Sequence, residues 1–313
     1  MNINESFQFS IITPVYNRAD CIVRCLESVA NQKFDSFEMI VVDDGSEDQT
    51  LNKIQMLKSK FKHLNIISYS ENRGVNFARN RGIEQAKGNY IIFLDSDDIL
   101  TPDALNTIDL QINVQKGYSH YLFGVSDRIS DNALPNEPME FSYKDWLSGK
   151  ISGDFAHVIK PSCFDGLMFV EEFRIYEALN WLRVLRQNKR QLYIPVTVSD
   201  REREREDSVT RESILRNKKS MQNAYNFLYQ FIDWYGNDLR NSNLNSILNK
   251  KIQKTLFLGI ALEETVRNNK LYTQFTNITL KIRLLKALNY KLFSPIIFRL
   301  IQLRSTLNQA RRK

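Results

Sequence analysis

Four short apolar runs, each closed by a polar cluster and followed by a segment of helical periodicity, restrict what this chain can become more than any other feature. Phe9-Ser10-Ile11-Ile12-Thr13 reads as a buried strand closed by Pro14, and Ile22, Cys25, Leu26 and Val29 then recur at helical spacing. Residues 37–42 form a second apolar strand ending in Asp43-Asp44-Gly45-Ser46, after which Ile54, Leu57 and Phe61 mark another helix. Residues 65–69 supply a third strand and 75–86 a helix. Residues 90–94 are a fourth strand running into Asp95-Ser96-Asp97-Asp98, and Pro102 stands at the favoured first turn of the next helix.

Strands that return to one sheet through covering helices run parallel, so the alternation predicts an α/β domain with a largely parallel sheet flanked by helices. Ligands of such sheets collect beyond the carboxyl ends of the strands. Tyr16-Asn17-Arg18, Asp43-Asp44 and the Asp95 to Asp98 cluster all fall at those ends, which places them in one site. Further strands are expected at 121–125 and 192–198 and a helix at 177–186. From residue 213 the chain reads as helical to its end, interrupted at Gly236-Asn237 and at Pro295.

Asp95-Ser96-Asp97 on a turn after an apolar strand suits a hard divalent ion, Mg²⁺ or Mn²⁺, which keeps several waters and takes its remaining ligands from a substrate diphosphate. Such an ion acts as a Lewis acid on the departing group. Acidic turns after strands also occur for structural reasons alone.

Thr13-Pro14-Val15-Tyr16-Asn17, Ile40-Val41-Val42-Asp43-Asp44-Gly45-Ser46, Asn72-Arg73-Gly74 with Ala78-Arg79-Asn80, and Phe93-Leu94-Asp95-Ser96-Asp97-Asp98 together resemble family 2 glycosyltransferases of the GT-A fold, of the bacterial surface-polysaccharide type. Order and spacing agree from residue 7 to about 125, and four linked motifs are far more specific than one. The resemblance implies a Rossmann-like mixed sheet and an inverting, metal-dependent transfer of a sugar from a nucleotide-sugar donor, UDP-linked, to a glycan or lipid-linked acceptor. It implies that Pro14, Val15, Tyr16, Asn17, Asp44, Asn72, Gly74, Arg79, Asp95 and Ser96 meet the donor. The Tyr16 ring would offer a flat face to uracil and Asp44 would accept a hydrogen bond from base or ribose. Asp43 would support the turn, and Asn17 has a turn role as its alternative. Gly74 would let backbone approach the nucleotide, and Arg79 would bind phosphate or, as the alternative, pair with Asp95. Asp97 is the implied ligand of Mn²⁺ or Mg²⁺, with Asp98 a helix-capping alternative.

Family members commonly carry a Glu-Asp pair before an apolar-aromatic stretch and an Arg. The matching run here is Glu177-Ala178-Leu179-Asn180-Trp181-Leu182-Arg183, with Ala178 in place of the Asp. Glu177 is the favoured base that takes the acceptor proton, because neighbouring side chains point about 100° apart on a helix. Glu171, Glu172 and an inactive nucleotide-sugar-binding relative stay open. Trp181 would stack on a sugar or belong to the core. Arg201 and the alternating charges to Arg211 would supply an arginine to the diphosphate or form an exposed, self-paired loop. His63, His120 and His157 read as packing or surface residues.

The resulting organisation is a catalytic domain at 1–212, with a nucleotide-sugar part at 1–125 and an acceptor part at 126–212, followed by a helical basic region at 213–313. A chain of 313 residues that is 42% hydrophobic can bury such a core and an appendage. The net charge of +7 is concentrated: after Glu264 there are eleven Lys and Arg and no acid. Interleaved with leucines and isoleucines from Leu280 to Leu303, they suit an anionic membrane face better than a helical partner, and an oligomer is compatible with either. A basic nucleic-acid-binding protein stays as a second alternative that rests on this tail alone; a nucleic-acid partner is not expected, because aromatic platforms and a recognised motif are lacking. Met1 to Glu5 show neither a basic nor an apolar leader pattern. Cys21, Cys25 and Cys163 fit reduced packing thiols. The expected place is the cytoplasm, peripherally at the inner face of the membrane.

Overall fold

The computed structural model describes residues 7–126, 134–172, 177–201, 217–274 and 290–310. The chain divides into two compact units, Met1–Arg203 and Glu204–Lys313. The boundary expected near residue 212 falls within 202–216, outside the described residues.

The first unit is built on β1 (Phe7–Val15), β2 (Phe37–Asp43), β3 (Leu64–Ser68), β4 (Gly88–Phe93), β5 (Ile99–Leu100), β6 (His120–Val125), β7 (Met139–Ser142), β8 (Ala156–Ile159) and β9 (Arg190–Asp200). They form one sheet in the order β3-β2-β1-β4-β8-β6-β9-β5, with β7 also on β9. The first four pair in parallel, as the alternation requires. Beyond β4 the sheet turns mixed, because β8 runs antiparallel to both β4 and β6. The parts expected on either side of residue 125 therefore share a single sheet.

Helices α1 (Ile22–Ala30), α2 (Thr50–Met56), α3 (Val75–Gln85), α4 (Ala104–Val114), α5 (Tyr143–Ser148) and α6 (Glu177–Asn188) accompany it. The two-residue alternation of strand side chains divides the core into two layers. Phe9, Ile11, Met39, Val41 and Ile92 pack with Cys25, Leu26 and Val29 of α1 and Leu105 and Ile108 of α4. Ile12, Ile40, Val42 and Ile91 pack with Ala78 and Ile83 of α3 and Val184 of α6. All three cysteines are buried and free, Cys21 directly before α1 rather than within it.

A polar knot fixes the stagger of the central strands. Ser10 and Glu38 are register partners, and Ser10 Oγ donates to Glu38 Oε1 at 2.6 Å while accepting from Gly88 N at 2.8 Å. Lys87 N donates to the same Glu38 oxygen at 2.7 Å. A Cβ at Gly88 would stand 2.5 Å from Ser10 N, so this approach needs glycine.

Several local readings change. Pro102 stands two residues ahead of α4; Asp103, at φ 57°, forms the entry without a side-chain cap. Asp98 leads into β5 and caps no helix. In the second unit α7 (Lys218–Asn241) runs straight through Gly236-Asn237, because burial of Ile232, Tyr235 and Leu239 outweighs the low helix propensity of those two residues. The chain turns instead at Asn243, with φ 61°. Pro295 lies inside α10 (Tyr290–Ala310).

Between them come α8 (Asn245–Ala261) and α9 (Thr265–Gln274). An Asn217–Ser220 capping box starts α7. Buried Asn268 accepts from the Tyr225 hydroxyl at 3.1 Å and donates to Leu256 O at 3.3 Å, reaching in over Gly259. Among the described residues no helix is long and apolar enough to cross a membrane.

The knot at Ser10 is a test of the sheet. Ser10→Ala leaves the Gly88 amide without this acceptor and removes one of the two donors to Glu38 Oε1, and is expected to cost about 1–3 kcal/mol. Chemical denaturation should show it as a lower midpoint with an unchanged slope, and an unchanged midpoint would mean the knot contributes nothing.

Candidate active site

Strand β1 lies between β2 and β4, so the acidic turns ending those two strands flank the exit of β1. Asp44 N donates to Val15 O at 2.9 Å on one side and Leu94 N to Ile12 O at 3.0 Å on the other. Pro14 and Val15 are buried within β1, while the Tyr16 ring emerges at the strand end, 38% exposed. Asn17 takes φ 49°, which asparagine tolerates, and its side-chain carbonyl accepts from Glu47 N at 2.9 Å. Asn17 N in turn donates to Ser46 Oγ at 2.9 Å, so the loop after β1 is stitched to the loop after β2.

The two aspartates ending β2 do different work. Asp43 accepts from Ser46 N at 3.2 Å and Ser68 Oγ at 3.0 Å, which braces the turn. Asp44 is buried, and its carboxylate accepts from Gly74 N at 2.6 Å and from Arg73 N at 3.0 and 3.1 Å. It thus sits at the N-terminus of α3, where unpaired amides and the helix dipole favour a negative charge. Gly74, at φ 101°, is the entry residue that aims this amide. Asn72, half-buried, precedes it on a strap against which Gly45 closes at φ 79°; a Cβ there would stand 2.7 Å from Glu71 C.

Helix α3 buries a polar face: Asn76, Arg79 and Asn80 lie inward with Phe77 and Ala78. Arg79 Nη2 is 2.9 Å from Asp95 Oδ1 and Nη1 is 2.6 Å from Glu177 Oε1, joining the turn after β4 to the start of α6. Of the two roles weighed for Arg79, the pair with Asp95 is present, and Glu177 is added to it. Burial works against the Arg79 charge, but Glu177 and Asp95 outweigh it and raise its pKa above the ordinary arginine value. Burial likewise pushes Asp95 up, while Arg79, Arg201 and Arg18 overcome that and hold its pKa below the usual carboxylate value.

Asp95 O accepts from Asp98 N at 3.0 Å, closing the turn over buried Ser96. Asp97 is half-buried on the outside of the turn, and its main-chain oxygen accepts from Arg24 Nη2 at 2.7 Å. Arg201, at the end of β9, lies 3.3 Å from Asp98 and 2.7 Å from Asp154. A cavity of about 20 Å³, room for a water, opens between Phe93, Asp95, Asp98, Phe155, Ser199 and Arg201. Residues 202–211 of the charged loop lie outside the described residues.

The segment before α6 is stapled to α3. Asn80 exchanges two hydrogen bonds of 2.9 Å with the Phe169 main chain, Asn76 donates to Val170 O at 3.1 Å, and Asn180 accepts from Val170 N at 2.9 Å. Glu171 faces Arg73 and Arg81, each at 3.5 Å, and Glu172 is exposed. Ala178 is exposed, whereas Glu177 turns toward Arg79.

Trp181, half-buried, packs against the core. One face stacks on His157 at 3.8 Å between centroids, and Phe93, Phe164 and Phe169 surround it. His157 Nδ1 is 2.9 Å from His120 Nε2, and Gln191 Nε2 is 2.8 Å from His120 Nδ1. Burial pushes His120 down to about 3; burial, His120, Arg79 and Arg201 push His157 well below its ordinary value, so both rings are neutral near pH 7. No local spacing in the sequence marks the pairing of His120 with His157, or Asp154.

Among the described residues no three His, Cys, Asp or Glu side chains are grouped to hold a metal by themselves. The turn does fit a hard ion that shares its shell with a substrate: its donors are oxygens. The nearby Cys25 thiol, its pKa raised well above normal by burial and by Asp98, stays protonated.

The description "Glycosyl transferase family 2" belongs to the sequence profile that matches residues 10–147. A GalNAc(5)-diNAcBac-PP-undecaprenol beta-1,3-glucosyltransferase of Campylobacter jejuni is 33% identical over 213 residues, covering 65% of this chain and 67% of that protein. A putative teichuronic acid biosynthesis glycosyltransferase of Bacillus subtilis is 33% identical over 46% of this chain and 58% of its own length. Among solved structures, residues 1–349 of S. aureus TarS in complex with UDP-GlcNAc superpose with a TM-score of 0.62 at 19% identity, over 96% of this chain and 89% of that one. This likeness agrees with the GT-A architecture of a mixed sheet flanked by helices and followed by a helical region. The matched span holds the Tyr16 loop, Asp44, Arg79 and the Asp95 turn, and the chain belongs to glycosyl transferase family 2.

Proposed function

We propose that the protein transfers a sugar, with inversion, from a UDP-linked donor to a glycan or lipid-linked acceptor in polysaccharide biosynthesis. One observation carries the reading: the acidic ends of β2 and β4 flank the end of β1, and buried Arg79 ties the second of them to Glu177. The UDP-GlcNAc bound by TarS and the undecaprenol-linked substrate in the name of the Campylobacter enzyme support the donor and acceptor classes.

In this reading the Tyr16 ring receives the base and the strap from Asn72 to Gly74 receives the ribose side. Asp44 serves chiefly by holding that strap, since its carboxylate already accepts from two main-chain amides. Asp97 would hold Mn²⁺ or Mg²⁺ together with diphosphate oxygens, and the bound ion would neutralise charge on the leaving nucleotide. The acceptor oxygen attacks the anomeric carbon opposite the diphosphate; its bond forms as the carbon–phosphate-oxygen bond breaks, and the acceptor proton passes to Glu177. Arg79 is a positioning residue, holding Glu177 and Asp95 at a fixed separation.

Nucleotide release from UDP-GlcNAc, followed with Mn²⁺ and with a chelator, tests the metal and its ligand together. Asp97→Ala should remove the metal-dependent release, and release indifferent to chelator would overturn the metal assignment. Donor-induced thermal stabilisation with no release under any condition would identify a nucleotide-sugar-binding protein without turnover.

Glu177→Gln should lower kcat for transfer by roughly 10²–10⁴-fold, the usual contribution of a general base, while keeping the donor-induced shift in Tm. Glu171→Gln should stay within a few-fold of the parent. The opposite order would move the base to Glu171.

A further inference from the structure

Helix α10 carries more apolar side chains than its own unit buries. Ile297 and Ile301, with half-buried Phe293 and Phe298, pack with Met221, Tyr225, Leu228, Leu258 and Ile260 in the core of the helical unit. Ile296, Leu300 and Leu303 are 55%, 53% and 62% exposed. Spaced four and three apart, they form a single ridge one residue step, about 100°, around the helix from the buried pair. Arg299 is exposed beside that ridge.

Charge decides what covers it. From residue 265 onward the chain has eleven Lys and Arg and no Asp or Glu. A second copy docking through this segment would bring like charge against like charge without a carboxylate to relieve it. A surface of lipid phosphates supplies the missing anions and, directly beneath them, an apolar layer for the ridge.

We propose that Ile296, Leu300 and Leu303 insert into the headgroup–acyl boundary of an anionic bilayer, with the exposed Arg299 beside them held by lipid phosphates. The docking element is the ridge alone, since Ile297 and Ile301 stay in the protein core. The ridge lies in the helical unit and the candidate active site in the other, so lipid attachment and donor turnover can be measured independently.

Flotation of the full chain with phosphatidylcholine vesicles, with and without phosphatidylglycerol, tests this. The protein should float only with the anionic vesicles, and less as salt is raised. The Ile296→Ser/Leu300→Ser/Leu303→Ser variant should lose attachment by about tenfold or more, with its Tm and nucleotide release unchanged. Leu300→Asp alone, at an exposed position, gives the same readout should the triple variant fold poorly. Flotation of either variant equal to that of the parent, or equal flotation on phosphatidylcholine alone, overturns the proposal. So does a parent oligomer that the substitutions dissolve while no vesicle is bound.

Discussion

A guanidinium buried at the heart of the first unit governs the rest of its cleft. Arg79 is 4% exposed, and a cation taken that far from water is tolerated only where anions replace the lost hydration. Asp95 and Glu177 do so from two directions, one from the end of a central strand and the other from the first turn of α6. Both are partly open to solvent. The pairing therefore leaves a rim of oxygen atoms facing outward from a charge anchored within. Removing the guanidinium would set those carboxylates against each other, so the placing of the turn after β4 against the start of α6 rests on a single side chain.

The central half of the fold is legible in sequence because its rules are local. Each apolar run of the parallel region becomes a strand within a residue or two, and the polar residues after it fall at the strand end, as α/β topology demands. The far half is held by pairings between residues that share no local pattern. Strands β5, β7 and β8 have two to four residues, and their partners lie far along the chain. Asp154 belongs to the same class: only the antiparallel return through β8 brings it to Arg201. Gly236 misleads for the converse reason, since a long helix buried by Tyr235 and Leu239 absorbs a weak position.

The replacement of the usual acid by Ala178 is easier to understand in three dimensions. Position 178 is exposed, one step around α6 from the face that meets Arg79, and Glu177 occupies that face. One turn further along the same helix Trp181 stacks on the neutral imidazole of His157, which is hydrogen-bonded to that of His120. Their neutrality adds no further positive charge to Arg79 and Arg201 around the carboxylates.

The side-chain amide hydrogen bonds that staple the segment before α6 are directed at main-chain atoms. Asn76 and Asn80 on α3 and Asn180 on α6 grip the carbonyl and amide groups of Phe169 and Val170 without reference to most of the side chains there. Apart from Phe169, whose ring packs on Phe93, Phe164 and Trp181, the hold is on main-chain atoms and does not depend on side-chain identity. The path of this segment is thus set by two helices, while its exposed positions, such as Glu172, carry no part of that hold.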